Sequence, residues 1–302
     1  MQNSNNESFF RAYNCAFYLI PIFFMAAFCG LFPAVTLADD NEAECRHKSH
    51  AALDDARSCW EFGLFFFTGS LPVYEGSADR KYLNLLLPYF LYEGPVLKLK
   101  KSEAAINWFK TETLSLSLSG YLSPSVKSEE SAKRENLSDL KAVVEAGPSL
   151  KWYFAGKAYK NWVIELPLRY AFTLESSPQL LDYVFNPKLS YKLVLDQAES
   201  MATSTSVDFS LGMKVVGADY ANFYYGISED ALSPFGSYQA KGGYAGSYLS
   251  AGWSRKQKVW SFGAYSRVTL LEKAAFIDSP LLENKASWLL GAFVSRDLWV
   301  SN

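Results

Sequence analysis

From Asn161 to Thr173 the chain reads NWVIELPLRYAFT, and its side chains alternate with a period of two. Trp162, Ile164, Leu166, Leu168, Tyr170 and Phe172 share one face, with Glu165 and Arg169 on the other. Successive strand residues point to opposite faces, so this is a β-strand with one greasy side and one polar side. The pattern recurs. Val144, Ala146, Leu150, Trp152 and Phe154 oppose Glu145, Ser149 and Lys151. Tyr183, Phe185, Leu189, Tyr191, Leu193 and Leu195 oppose Asn186, Lys188, Ser190 and Lys192. Val207, Phe209, Leu211, Met213 and Val215 oppose Asp208, Ser210 and Lys214, and Trp260, Phe262, Ala264, Val268 and Leu270 oppose Tyr265 and Arg267.

A soluble sandwich buries such a face inside, whereas a membrane barrel turns it to lipid and keeps polar groups in the lumen. Length separates the two. The segments run to roughly 11–14 residues, while sandwich strands are commonly 5–6 and a tilted membrane strand needs about 9–11. Rings gather near segment ends (Trp60, Trp152, Phe154, Trp162, Phe172, Trp253, Trp260, Trp288, Trp299), as interfacial girdles require. The expected fold is an all-β, antiparallel transmembrane β-barrel over residues 60–302.

Ten strands are expected, starting near Trp60, Tyr82, Phe109, Val143, Asn161, Asp182, Val207, Gly243, Val259 and Ser287. Long connections then fall at 70–81, 121–142, 174–181, 228–242 and 272–286, with tight ones including 156–160 and 255–258. Outer-membrane barrels carry long outer loops and short periplasmic turns, so this parity leaves both termini in the periplasm. Gly94-Pro95 introduces a possible extra strand, and 207–227 is too long for one crossing unless Gly217-Ala218-Asp219 bulges. Counting both as hairpins gives twelve strands but moves the 121–142 connection to the periplasm, so ten is preferred.

The first segment is an address. No residue from Ala12 to Ala38 is charged, Arg11 precedes the run, and Thr36-Leu37-Ala38 before Asp39-Asp40 resembles a cleavage site. Residues 1–38 are expected to be a signal peptide, the alternative being a retained transmembrane helix. Residues 39–59 form a tether that keeps Cys45 and Cys59, an even pair that reads as one disulfide in an exported chain. Free thiols, or a metal among Cys45, His47, His50 and Cys59, are the alternatives. The C-x-H-x2-H-x8-C spacing matches no common zinc pattern.

Composition excludes several functions. A chain that is 49% hydrophobic and 16% aromatic is neither disordered nor collagen-like. A net charge of −2 leaves no basic footprint for nucleic acid. Both histidines lie before residue 51, so histidine-dependent catalysis has no base in the barrel, and Asp278-Ser279-Pro280 reads as a turn rather than a nucleophile. No enzyme activity and no cofactor are expected. The inward set is Glu145, Lys151, Glu165, Arg169, Lys188, Lys192, Asp208, Lys214 and Arg267. In a narrow lumen these must pair or stay hydrated, which favours a salt-bridged plug over a weakly anion-selective path. An open porin needs about sixteen strands. The charged 121–142 connection reads as solvated surface.

Pro72-Val73-Tyr74-Glu75-Gly76-Ser77 followed by Leu85-Leu86-Leu87-Pro88-Tyr89 resembles the P-x-Y-x-G-S opening and downstream L-P signature of the MipA/OmpV family of Gram-negative outer-membrane proteins. Tyr224-Tyr225-Gly226-Ile227-Ser228 and Asp278-Ser279-Pro280 are similar to further family motifs, in the same order. From the residues alone, Pro72, Tyr74, Gly76 and Ser77 form a first outer loop anchored over the barrel mouth, and Tyr225 and Gly226 end a strand. The resemblance implies contact with outer-membrane lipid and, in some members, a scaffold for a murein-degrading lytic transglycosylase and a murein synthase. Adhesins, antigens and osmotically responsive proteins are other members. A narrow solute channel or stress-responsive surface protein is the alternative function.

Overall fold

The computed structural model describes residues 59–93, 97–100, 103–111, 113–154, 161–197, 203–229 and 233–300. The expected signal peptide, the tether with Cys45 and the 156–160 turn lie outside the described residues, as does the side chain of Cys59.

Thirteen antiparallel strands make one sheet. They are β1 (Cys59–Pro72), β2 (Arg80–Glu93), β3 (Leu97–Lys100), β4 (Glu103–Lys110), β5 (Leu114–Ser123), β6 (Val143–Tyr153) and β7 (Trp162–Thr173), then β8 (Leu180–Phe185), β9 (Lys188–Gln197), β10 (Thr203–Val216), β11 (Gly243–Gln257), β12 (Trp260–Leu270) and β13 (Ala286–Val300). Each pairs with its neighbour, β13 returns to β1, and β10 joins β11, so the circuit of ladders closes. β8 and β9 are one interrupted strand: both pair with β7 on one side and β10 on the other. Asn186-Pro187 makes the interruption, since proline has no N–H for a ladder.

The expected ten strands correspond to the long ones. The short β3–β4 hairpin is the addition, giving twelve positions once β8 and β9 are counted together. It pairs with β2 only at Tyr92 and Glu93, the short-turn end, and adds one strand in each direction, so the 124–142 connection stays at the outer end and the objection to twelve falls away. The stretch after β10 is neither a bulge nor a hairpin. Gly217 is the N-cap of a short helix, α1 (Ala218–Tyr225), which ends at Gly226.

Burial follows the period of two inside out. Leu166, Leu168, Tyr170 and Phe172 of β7 are exposed, while Glu165, Ala171 and Thr173 are buried. An exposed apolar band around a buried polar face is the lipid-facing arrangement. Rings flank it at the short-turn end: Trp60 meets Trp299 edge-on at 3.9 Å, Trp152 stacks on Phe154 at 5.1 Å, and Trp260 stacks on Phe262 at 6.2 Å. The connections at the opposite end are long (73–79, 124–142, 217–242, 271–285) and pack together into the main hydrophobic cluster. Val143, Ala221 and Leu271 there are completely buried. By the rule of long outer loops, the barrel is capped on its outer face.

Candidate functional site: the cap and the charged lumen

Three separated stretches interlock in the cap. Gly76 adopts φ +90°, a conformation that favours glycine, and a Cβ there would come within 2.7 Å of Leu282. Its carbonyl accepts from the amides of Glu283 and Asn284, at 3.0 and 2.9 Å. The Tyr74 hydroxyl donates to the Leu281 carbonyl at 2.7 Å, and the Asn284 side-chain amide donates to the Ser77 carbonyl at 3.3 Å. The first and last outer loops are thus stitched into one unit.

α1 is the third member. Tyr225 stacks on Phe276 with ring centroids 3.8 Å apart and planes 11° from parallel. Its hydroxyl donates to the Glu75 carbonyl at 2.8 Å, and its own carbonyl accepts from Ser279 Oγ at 2.7 Å. Ser279 is therefore occupied as a hydrogen-bond donor within a turn, while Asp278 is exposed and Pro280 half-buried. Tyr225 and Gly226 close a helix, not the strand expected, because 218–225 wraps one apolar side onto the cap core. Pro72, the last residue of β1, leads into the loop. Burial pushes the Tyr225 and Tyr74 phenols up, so both remain neutral donors.

Below the cap the polar lining begins. Glu75 hangs into a cavity of about 130 Å³ lined by residues including Tyr121, Lys214, Tyr220 and Arg267. Lys214 Nζ stands 3.7 Å from one Glu75 oxygen, and Arg267 Nη2 stands 3.9 Å from the other. Burial acts to raise the Glu75 carboxyl, but Lys214 and then Arg267 outweigh it and hold the group below its ordinary value. Lys214 also donates to the Tyr220 hydroxyl at 3.1 Å, and Tyr220 donates to Glu145 Oε1 at 3.1 Å. Arg169 completes the chain, 3.5 Å from Glu145 Oε2 and donating to Ser119 Oγ at 3.0 Å. The Arg267 guanidinium lies 3.7 Å over the Tyr248 ring, a cation–π contact.

Deeper still, Lys188 pairs with Glu165 at 2.8 Å, Ser149 donates to Glu165 at 3.1 Å, and Lys192 stands directly across the ladder from Asp208. Lys151 sits opposite Glu165 on the neighbouring strand. The structure therefore gathers the nine sequence-identified charges into an upper group under the cap and a lower group, with ion pairs in both. Sequence reasoning missed Glu75 and Tyr220 as their partners. Glu75 lay within the Pro72–Ser77 motif, but its reach across the lumen is a long-range contact that strand periodicity does not encode.

The 124–142 loop is only in part the solvated surface expected: Lys127, Glu129 and Glu135 are exposed, but other charges of the loop are drawn inward. Arg134 is 3% exposed and donates to the carbonyls of Tyr224 and Ser138, while Lys81 and Glu130 pair at 2.7 Å. Burial pushes the Arg134 guanidinium down. Among the described residues no cluster of three or more His, Cys, Asp or Glu gathers to hold a metal.

A closed antiparallel sheet with an apolar outer band, a charged interior and a packed outer cap defines an outer-membrane β-barrel protein. The family model of the MltA-interacting protein MipA matches residues 62–297, and the chain belongs to that family. No curated protein matches it. Among solved structures it is similar to an outer membrane channel from Pseudomonas putida F1, at 10% identity over 83% of this chain and 99% of that one, with a TM-score of 0.36. A bacterial polysaccharide outer membrane secretin shares 7% identity over 82% and 100%, TM-score 0.36, and a Pseudomonas aeruginosa FadL homologue 7% over 80% and 90%, TM-score 0.26. Likeness this slight carries no argument about function.

Proposed function

We propose that the chain is a non-enzymatic outer-membrane platform that holds murein-processing enzymes at the inner face of the outer membrane. The observation that carries this reading is the packing of the outer loops against one another. With four outer connections packed over the lumen, the barrel offers its surface to the periplasm rather than a path to the outside. The family's name supports a lytic transglycosylase as the partner; a murein synthase is the second enzyme proposed. Holding both beside the barrel raises their effective concentration for one another. The contact surface proposed is the short-turn end: the 255–258 and 156–160 turns and the 39–58 tether. In the first of these, Lys258 takes φ +56° to complete a two-residue hairpin.

Pull-down with the full-length barrel in detergent tests the proposal. A purified lytic transglycosylase is expected to be retained, and R255A/K256A is expected to weaken retention and reduce its salt dependence. No retention at any salt concentration overturns the proposal.

A further inference from the structure

The lumen has two unlike walls. Along β5 to β11 the inward residues are serines and charges, among them Ser117, Ser149, Ser206 and Ser250. Along β13, β1 and β2 the inward face carries an apolar strip of Phe65, Phe67, Leu83, Leu85, Leu87 and Leu289, with Ser287 above it, Ser295 beside Phe65, and Asp297 and Tyr89 below. Phe65 faces Leu87 and Phe67 faces Leu85 across the β1–β2 ladder. The large rings on this side are laid flat by glycines. A Cβ at Gly69 would come within 2.4 Å of the Phe67 ring, and one at Gly263 within 2.0 Å of the Phe293 ring. The rings thus run along the wall instead of across the lumen, and Phe65, Leu83, Leu85, Leu87 and Leu289 stay only half-buried. Apolar surface left wet costs about 25 cal/mol per Å², so this strip favours an apolar occupant.

The same wall borders a stretch where the closed circuit of ladders is carried only by the short β3–β4 hairpin at its lower end. β2 pairs with β1 along its whole length, but its other edge meets β3 only at Tyr92 and Glu93. β5 pairs with β6 throughout, but with β4 only as far as Ser117. Among the described residues, no ladder joins β2 from Arg80 to Pro88 with β5 from Leu118 to Ser123. Exposure agrees: Tyr82 is 77% and Leu86 66% exposed, the highest among the exposed large apolar side chains. Pro88 lies in this run, and proline within a sheet is confined to edges and bulges. The Lys81–Glu130 ion pair crosses above this stretch and the β3–β4 hairpin lies below it. The opening therefore sits at the level of the lipid-facing leucines, above the Trp60–Trp299 girdle.

We infer that the lumen holds one acyl chain of a membrane phospholipid, which enters sideways between β2 and β5 and lies along the Phe65–Leu85–Leu289 wall. What stands outside the opening dictates the occupant. Hydrocarbon already borders it, so a chain passes from one apolar surface to another without being wetted. Backbone polar groups cannot face hydrocarbon bare, so this arrangement requires lumenal water at the β2 edge from Arg80 to Pro88, which has no second ladder partner among the described residues.

Native mass spectrometry of the full-length protein, extracted from outer membranes in mild detergent, tests this. One bound phospholipid per chain is expected, and L85S/L87S is expected to lower its occupancy about tenfold or more. S190A/S210A on the polar wall leaves it unchanged. An adduct with the mass of a free fatty acid overturns the phospholipid assignment. No adduct, or one undiminished in L85S/L87S that still shows the folded barrel's heat-modifiable migration, overturns the site. If L85S/L87S fails to fold, L85W decides: phospholipid brominated along its acyl chains quenches the added fluorescence if the chain lies there, and leaves it unquenched if not.

Discussion

Glu75 is the residue on which the cap and the lumen meet. Its backbone carbonyl receives the Tyr225 hydroxyl, while its carboxylate faces Lys214 and Arg267. Because those cations hold the carboxyl below its ordinary value of 4.5, its stabilisation is fully present above that value. It is lost as pH falls through the lowered one. Thermal unfolding in detergent, followed against pH, is the measurement. E75Q is expected to melt lower than the parent at neutral pH, with the gap narrowing as pH drops below about 4.5. A gap that stays constant on acidification would show that the carboxylate charge contributes nothing. The sequence displayed Glu75 inside a turn motif without revealing its partners, because Lys214 and Arg267 lie far along the chain and reach it only once the barrel closes.

At the scale of elements, strands were legible and their exceptions less so. Lipid outside and polar groups inside force strict alternation, so β6, β7, β9, β10 and β12 can be read directly from Val144 to Leu270. The β3–β4 hairpin was legible only as an optional extra strand after Gly94-Pro95, because Leu97–Lys100 alternates for just four residues. α1 escaped because eight residues barely exceed two helical turns; Gly217, expected as a bulge, is its cap. This helix is also where the cap is most sensitive. Phe276 is 2% exposed beneath Tyr225, so F276A is expected to cost about 3–5 kcal/mol. The measurement is limited proteolysis of intact cells. Cleavage within 217–242 is expected to rise sharply, with the barrel still migrating as a folded species; unchanged resistance would show that the Tyr225–Phe276 stack does not hold the loops.

The whole molecule is a barrel wetted differently on each surface: hydrocarbon outside, paired charges and serines through much of the inside, and loops packed over one mouth. The fold class was readable because lipid exposure inverts the usual burial of apolar residues over every long strand. The cap was not, since its core joins residues 73–79, 217–242 and 271–285, which meet only after assembly. A sealed outer mouth is the claim that separates a platform from a solute channel. Planar-bilayer recording of the purified full-length barrel tests it most directly. Insertion without steady current steps, with steps appearing in F276A, is the result expected; stable ohmic conductance from the unaltered protein would contradict the account.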